Sequence, residues 1–287
     1  MDLLDSPFMV RALIAAALVG ITAPAIGTYL VQRRQAVMGD GLGHVAMTGV
    51  ALGFVLNTSP VWMATLVTVI GAVGMELIRS RGKTSGDVAL AMLFYGGLAG
   101  GVMIISLGGG STARLLGAMF GSITAVSSAD VVAVVILAAL VLAITIGLRR
   151  QLFAVCQDEE FARVTGLPVR LLNLLIAVTA AVTVTVAMRI VGLLLVSAMM
   201  VIPVAAAQRV TRGFTATLSL SMVIALVVSL TGTATTYYVE APSGPTIVLF
   251  AIGVFMVMTA VSAPLARRRA KAARAAEEVC TRDDVKV

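Results

Sequence analysis

The residues best suited to chemistry are Asp40 and His44, which lie in the run Gly39-Asp40-Gly41-Leu42-Gly43-His44. His44 is the only histidine in a chain of 287 residues. Four residues separate the pair, so on a helix the carboxylate and the imidazole share one face. A nitrogen and an oxygen ligand at that spacing can hold a divalent metal ion. The pair lies between two long apolar segments, and ionisable groups near a membrane interior are costly, which indicates a functional site.

Two structural roles for the same residues remain open. Asp40 has the side chain of a helix N-cap and could begin a helix near Gly41. His44 could donate a hydrogen bond to a backbone carbonyl.

The composition predicts an all-α, polytopic membrane protein. The chain is 59% hydrophobic and only 12% charged, whereas soluble domains carry about 25% charged residues. Apolar runs near the length of a membrane-spanning helix recur along the chain, and alternating strand patterns are absent. The apolar segments are 8–31, 45–56, 61–78, 88–107, 130–148, 171–187, 190–206, 214–238 and 245–264. We expect eight to ten spans, with the short 45–56 segment continuing back into Asp40 and His44.

The placement of charge predicts the orientation. The net charge is +7, and the basic residues sit at the ends of apolar segments, as the positive-inside rule expects, rather than among aromatics as in a nucleic-acid platform. They are Arg33-Arg34, Arg79 to Lys83, Arg149-Arg150, Arg209 to Arg212 and the tail from Arg267 to Arg274. Nine spans with an external N-terminus and a cytoplasmic C-terminus place all these on one side, with Arg114 and Arg189 as exceptions. Residues 1–264 then form the membrane domain and 265–287 a charged cytoplasmic tail.

Four further side chains, two carboxylates and two thiols, have simpler roles to consider. Glu76 is spaced to pair with Arg79 at i+3, and we favour this pair over a metal ligand. Glu240 lies in a loop predicted on the outer side, where it could attract cations to an entrance. Cys156 and Cys280 match no zinc-site spacing and are expected to be incidental thiols.

The largest polar insertion between spans runs from Arg149 to Arg170. Its centre, 157–168, predicts a short cytoplasmic helix with acidic residues early, Gly166 near the C-cap and Pro168 just beyond. Phe161 with Val164 or Thr165 would form a small apolar face. Such a helix is either a solvated loop helix or a docking surface for a cytoplasmic partner.

Four stretches together resemble the membrane permease of bacterial zinc/manganese ABC importers, the ABC-3 type metal permeases. They are 39–44, 158–166, 191–203 and 241–249. The second reads Asp-x-Glu-Phe-Ala-x-x-x-Gly, and the stretches follow the family's order across most of the chain. Each stretch alone would be weak, and the set of four is fairly specific.

The resemblance implies a type II ABC importer-like permease, working as a homodimer in the bacterial inner membrane. Its partners would be a pair of cytoplasmic ATPase subunits and an extracellular metal-binding protein. The permease would be no enzyme and would hold no permanent cofactor, only the transported zinc or manganese. Asp40 and His44 would bind the passing metal. The coupling residues to the ATPase would be Asp158, Glu159, Glu160, Phe161, Ala162 and Gly166.

The chain departs from the family pattern in ways that leave the ligand set open. Gly43 stands where many members have serine, and later spans carry no further histidine. Added ligands would be Glu76, Glu240, a backbone carbonyl, water or the second subunit.

Two other transport mechanisms are kept as alternatives, and a hydrolase is disfavoured. One is a proton-coupled secondary metal transporter that uses Asp40 and His44 as a relay. The other is an ABC permease for a metal chelate or cobalamin, which would not depend on that pair. An intramembrane hydrolase is the weakest reading, since no H-E-x-x-H arrangement occurs and no nucleophile stands out. The sequence also lacks a P-loop, consistent with ATP hydrolysis on a partner subunit.

Overall fold

The computed structural model describes residues 7–80, 86–109, 128–239 and 242–262. All regular secondary structure within these ranges is helical, which confirms the all-α prediction. Among the described residues, seven helices are long and apolar enough to cross a membrane. The predictions for Glu240, Arg114, Cys280 and the tail 265–287 lie outside the described residues.

Eleven helices are numbered here in chain order over the described ranges. They are α1 Pro7–Gln32, α2 Met38–Val55, α3 Pro60–Ser80, α4 Gly86–Leu107, α5 Ser128–Gly147, α6 Arg149–Gln157, α7 Glu159–Val164, α8 Val169–Val191, α9 Leu193–Gln208, α10 Phe214–Val239 and α11 Ser243–Ser262. The seven span-like helices are α1, α3, α4, α5, α8, α10 and α11, and α9 is a shorter apolar helix. These, together with α2, match the nine apolar segments of the sequence.

Helices α1 and α8 are the most buried of the long helices. Helix α1 contacts α5, α8, α9 and α10, while α8 contacts α1, α2, α3, α5 and α9. Helix α2 packs most extensively against α4 and α3. Small residues permit this close approach, because helices in lipid associate through van der Waals packing of backbones. The helix with the Asp40/His44 pair is therefore enclosed by other helices.

Helix α2 begins before Asp40, so the predicted extension of the 45–56 segment is confirmed. The N-cap is Val37, whose side chain makes no capping hydrogen bond, and Asp40 lies in the first turn. The alternative that Asp40 caps a helix starting near Gly41 is therefore wrong. A carboxylate in the first turn still complements the helix dipole without being the cap.

Helices α8 and α9 are separated by a single residue, Gly192. Its backbone has φ 85° and ψ 157°, a conformation that is essentially restricted to glycine. Helix α9 starts directly afterwards at Leu193. The continuous apolar stretch is thus divided into two helices by one residue.

The polar insertion forms two short helices, where the sequence predicted one near 157–168. Helix α6 was not predicted, and α7 covers only Glu159–Val164. The reason is Asp158, which is extended (φ −154°, ψ 109°) and ends α6 while its side chain caps α7. Gly166 follows α7 with φ 83°, where the predicted C-terminal glycine is needed.

Candidate functional site

Asp40 and His44 lie one turn apart on α2, and one nitrogen of the imidazole has no hydrogen-bond partner among the described residues. His44 is 8% exposed, and its Nδ1 atom is buried with no hydrogen-bond partner among the described residues. Asp40 is half-buried and interacts electrostatically with His44. Buried polar atoms are normally hydrogen-bonded, so an unpartnered imidazole nitrogen needs an explanation. A ligand that arrives during function is one.

Helix α4 forms one wall beside His44. The ring of Phe94 meets the imidazole edge-on, with centroids 4.3 Å apart. A Cβ atom at Gly97 would lie 2.7 Å from the carbonyl carbon of His44, so α4 crosses directly over the α2 backbone. Thr48 fixes this crossing by donating a hydrogen bond to the Gly97 carbonyl at 2.6 Å. The imidazole is therefore held between packed elements with a defined orientation.

Helix α9 forms a second wall against the two glycines that flank the pair. A Cβ atom at Gly43 would overlap Leu193 Cδ1 at 1.6 Å, and one at Gly39 would lie 2.9 Å from Met200 Sδ. Any larger side chain at Gly43 would have to displace Leu193. In this chain, Leu193 fills the space that a side chain at position 43 would need.

The neighbours Phe94, Leu193 and Met200 were missed by the sequence interpretation. The glycines around the pair and in α4 indicated close helix packing. They carried no information about which helices would approach, because every surrounding segment is apolar.

Other acidic groups do not complete a metal cluster among the described residues. No group of three or more histidine, cysteine, aspartate or glutamate side chains is positioned to hold a metal ion within those ranges. Glu76 instead pairs with Arg79, with Oε1 2.7 Å from Nη2, so the predicted i+3 pair is confirmed. The described part of the chain therefore offers two ligand-type side chains in this region.

Helix α7 has an inward and an outward face. Ala162 is fully buried, and Glu159 points toward α1, α3 and α8. Phe161 and Val164, 64% and 86% exposed, form an uncovered apolar patch. The predicted apolar face is confirmed as a feature of the surface.

The residues predicted for coupling fall into three structural roles. Asp158 Oδ1 accepts hydrogen bonds from the backbone N–H groups of Glu160 and Phe161, at 2.9 and 3.0 Å, so Asp158 is an N-cap. Gly166 ends the helix. Glu160 and Phe161 are exposed, whereas Glu159 and Ala162 face the bundle.

The chain matches the model of the ABC 3 transport family over residues 5–262. It is 29% identical over 254 residues to the manganese transport system membrane protein MntC of Halalkalibacterium halodurans, covering 88% of this chain and 87% of that protein. It is 27% identical over 237 residues to the high-affinity zinc uptake system membrane protein ZnuB of Haemophilus influenzae, covering 83% and 90%. Among solved structures, PsaBC from Streptococcus pneumoniae in complex with Fab matches with a TM-score of 0.79 and 28% identity, covering 89% of this chain and 92% of that chain.

The helical architecture and these similarities define the class as a multi-pass membrane permease of the ABC metal-transporter type. The chain belongs to the ABC 3 transport family. The resemblance stated from the four sequence stretches is thereby confirmed.

Proposed function

We propose that this protein is the permease subunit of an ATP-driven importer for zinc or manganese. Asp40 and His44 bind the ion transiently as it passes. The observation that carries this proposal is the buried Nδ1 of His44, which has no hydrogen-bond partner in the described part of the chain and lies one helical turn from the half-buried Asp40. The relatives named for manganese transport and for zinc uptake support the choice of cargo.

Two ligands from one subunit suit a transported ion. A closed set of four protein ligands binds zinc tightly, as structural zinc sites do. A permease needs a site that the ion can enter and also leave. Water, a backbone carbonyl near the Gly192 junction, or a second copy of the chain would complete the coordination.

Helix α7 is the surface on which a cytoplasmic ATPase docks. Its exposed Phe161 and Val164 form an apolar patch beside Glu160 and Arg163, which are also exposed. Asp158 and Gly166 fix the two ends of the helix. ATP hydrolysis then belongs to the partner, and an extracellular binding protein delivers the metal to a permease homodimer.

The charge distribution supports a bacterial inner-membrane orientation with α7 and the C-terminus in the cytoplasm. Residues 1–264 act as the membrane domain, and 265–287 form a cytoplasmic tail. Glu240 attracts cations at the outer entrance.

The test is ATP-dependent uptake of zinc and of manganese, measured separately in proteoliposomes that contain the permease, its ATPase and its binding protein. We expect Asp40→Asn and His44→Gln to reduce uptake of one metal by about 10–100-fold, as loss of a metal-site group does. Ser197→Ala is the control. Ser197 lies on α9 near Gly39, and its hydroxyl bonds the Leu193 carbonyl of its own helix.

The outcomes separate the candidate functions. Unchanged uptake in both variants would exclude Asp40 and His44 as ligands and favour a metal-chelate permease. Uptake that needs no ATP and collapses with the proton gradient would instead establish a secondary transporter.

A further inference from the structure

Four charged side chains from three parts of the chain meet beside α7. Arg33 follows α1, Glu76 and Arg79 lie near the end of α3, and Glu159 is the first residue of α7. We call these residues the four-charge cluster. Arg79 Nη2 lies 2.7 Å from Glu76 Oε1 and 2.8 Å from Glu159 Oε1. Arg33 Nη2 lies 3.1 Å from Glu159 Oε1 and 3.9 Å from Glu76 Oε2.

A single oxygen atom of Glu159 joins three helical regions. Its Oε1 accepts hydrogen bonds from Arg33 Nη2, Arg79 Nη2 and Asn173 Nδ2, the last at 3.1 Å. Asn173 belongs to α8. Through one carboxylate, α7 is therefore tied to the end of α1, to α3 and to α8.

The charges in the cluster balance only when Glu159 is in place. The side chains of Arg33 and Glu76 are 5% and 4% exposed, and that of Arg79 is also largely buried. Burial, followed by the neighbouring Arg79 charge, lowers the pKa of Arg33. If α7 moved away alone, two guanidinium groups would share the single carboxylate of Glu76. The Glu159 side chain is itself 34% exposed, whereas the two guanidinium groups that it compensates are largely buried. Moving α7 alone would leave an excess buried positive charge, which favours movement of α7 together with α1 and α3.

Helix α3 connects the cluster to the candidate metal site. Gly71, less than two turns before Glu76, packs against α2, and a Cβ atom there would lie 3.0 Å from Val45 Cγ1. Val45 is the residue after His44. Helix α3 therefore contacts α2 at the residue next to the imidazole.

We propose that Glu159 is a positioning residue that couples movement of α7 to the metal site through α3, rather than a contact to the ATPase. The proposal rests on the proposed function of α7 as the ATPase docking element. It separates the two faces of α7: Phe161 and Val164 contact the partner, and Glu159 transmits the displacement inward. Glu159 therefore acts on transport without touching either the ATPase or the metal.

The test compares Glu159→Ala with Gln157→Ala in the assembled transporter. Gln157 also bonds α1, through Gln32 at 2.8 Å, but that contact is exposed and uncharged. Three quantities are measured: co-purification with the ATPase, ATP hydrolysis, and metal transported per ATP. We expect Glu159→Ala to retain the ATPase and hydrolysis but to lower metal transported per ATP by about tenfold, within the usual range of coupling between sites. Gln157→Ala should leave all three unchanged.

A double variant distinguishes positioning from simple stabilisation. Glu159→Ala leaves one excess positive charge in the cluster and should lower the midpoint of thermal denaturation. Adding Arg33→Gln removes that charge and should restore the midpoint. Under our proposal, metal transported per ATP stays low, because the link from α7 to α3 is still missing.

Recovery of transport together with stability would overturn the proposal, as would normal coupling in Glu159→Ala. Loss of ATPase binding in Glu159→Ala would also overturn it. A wild type that transports no metal would instead refute the proposed function itself.

Discussion

The four-charge cluster and the Asp40/His44 pair differ in how far their polar groups are hydrogen-bonded within the protein. In the cluster, Glu159 Oε1 accepts three hydrogen bonds, and Arg79 donates two to Glu76 and one to Glu159. In the pair, the buried Nδ1 of His44 has no partner among the described residues. Polar groups that are satisfied internally hold a structure together, whereas an unsatisfied one lowers stability until a ligand binds.

This difference corresponds to two tasks of a transporter, holding its helices together and binding its ion. The cluster keeps α1, α3, α7 and α8 in a fixed relation. Under our proposal, the pair forms a site that is incomplete until the transported ion binds. Removing a cluster residue should therefore destabilise the fold, and removing a pair residue should affect transport with little effect on stability.

The largest expected change in stability follows from Glu76→Gln. The substitution keeps the shape of the side chain but removes its charge, leaving Arg33 and Arg79 with Glu159 alone. Breaking a buried ion pair costs about 3–5 kcal/mol. The measurement is the midpoint of thermal denaturation in detergent, followed through the fluorescence of Trp62, the single tryptophan.

Glu160→Gln is the matched control for this prediction. Glu160 is exposed on α7, and the same chemical change there should alter stability by no more than about 0.5 kcal/mol. Equal effects of the two substitutions would show that the cluster contributes no more to stability than a surface carboxylate does.

The reverse pattern is expected for His44→Leu. Leucine replaces a ring whose Nδ1 has no partner among the described residues with an apolar side chain beside Phe94. The free energy of unfolding should therefore change by less than about 1 kcal/mol. Metal uptake should nevertheless be lost. A large fall in the thermal midpoint would indicate that His44 is mainly a structural residue and would remove the contrast with the cluster.

Much of the helical architecture could be predicted from the sequence because its signals are local. Apolar length identified the seven span-like helices of the described residues, although eight to ten spans were expected. The i+3 spacing of Glu76 and Arg79 identified their pair. Helix α6 was missed because Arg149-Arg150 and a short amphipathic stretch resemble a loop. The capping role of Asp158, which separates α6 from α7, depends on an extended backbone that the surrounding helical pattern conceals.

Neither the four-charge cluster nor the surroundings of the Asp40/His44 pair could be predicted, because both arise from contacts between residues distant in sequence. Arg33 and Glu159 are 126 residues apart, and both sit in polar segments where a charge ordinarily faces water. Glu159 was grouped with the partner-facing residues because it lies within the 158–166 stretch that the family resemblance assigns to coupling. Phe94 and Leu193 were indistinguishable from their apolar neighbours until the helices were placed together.

The labelling rate of the Cys156 thiol tests whether the four-charge cluster keeps α7 packed against α6, and it is the smallest of the expected effects. Burial raises the pKa of its thiol from 9.0 to about 12, against the opposing charge of Arg33. Between about pH 9 and 12 the unfolded chain loses the thiol proton while the folded chain keeps it, so this residue makes the free energy of unfolding fall as pH rises. In a Cys280→Ser background, labelling of the native protein by iodoacetamide at pH 8 should be at least about 100-fold slower than that of denatured protein. Glu159→Ala should accelerate labelling by loosening α7 beside α6, and rapid labelling of the intact protein would contradict a closed cluster.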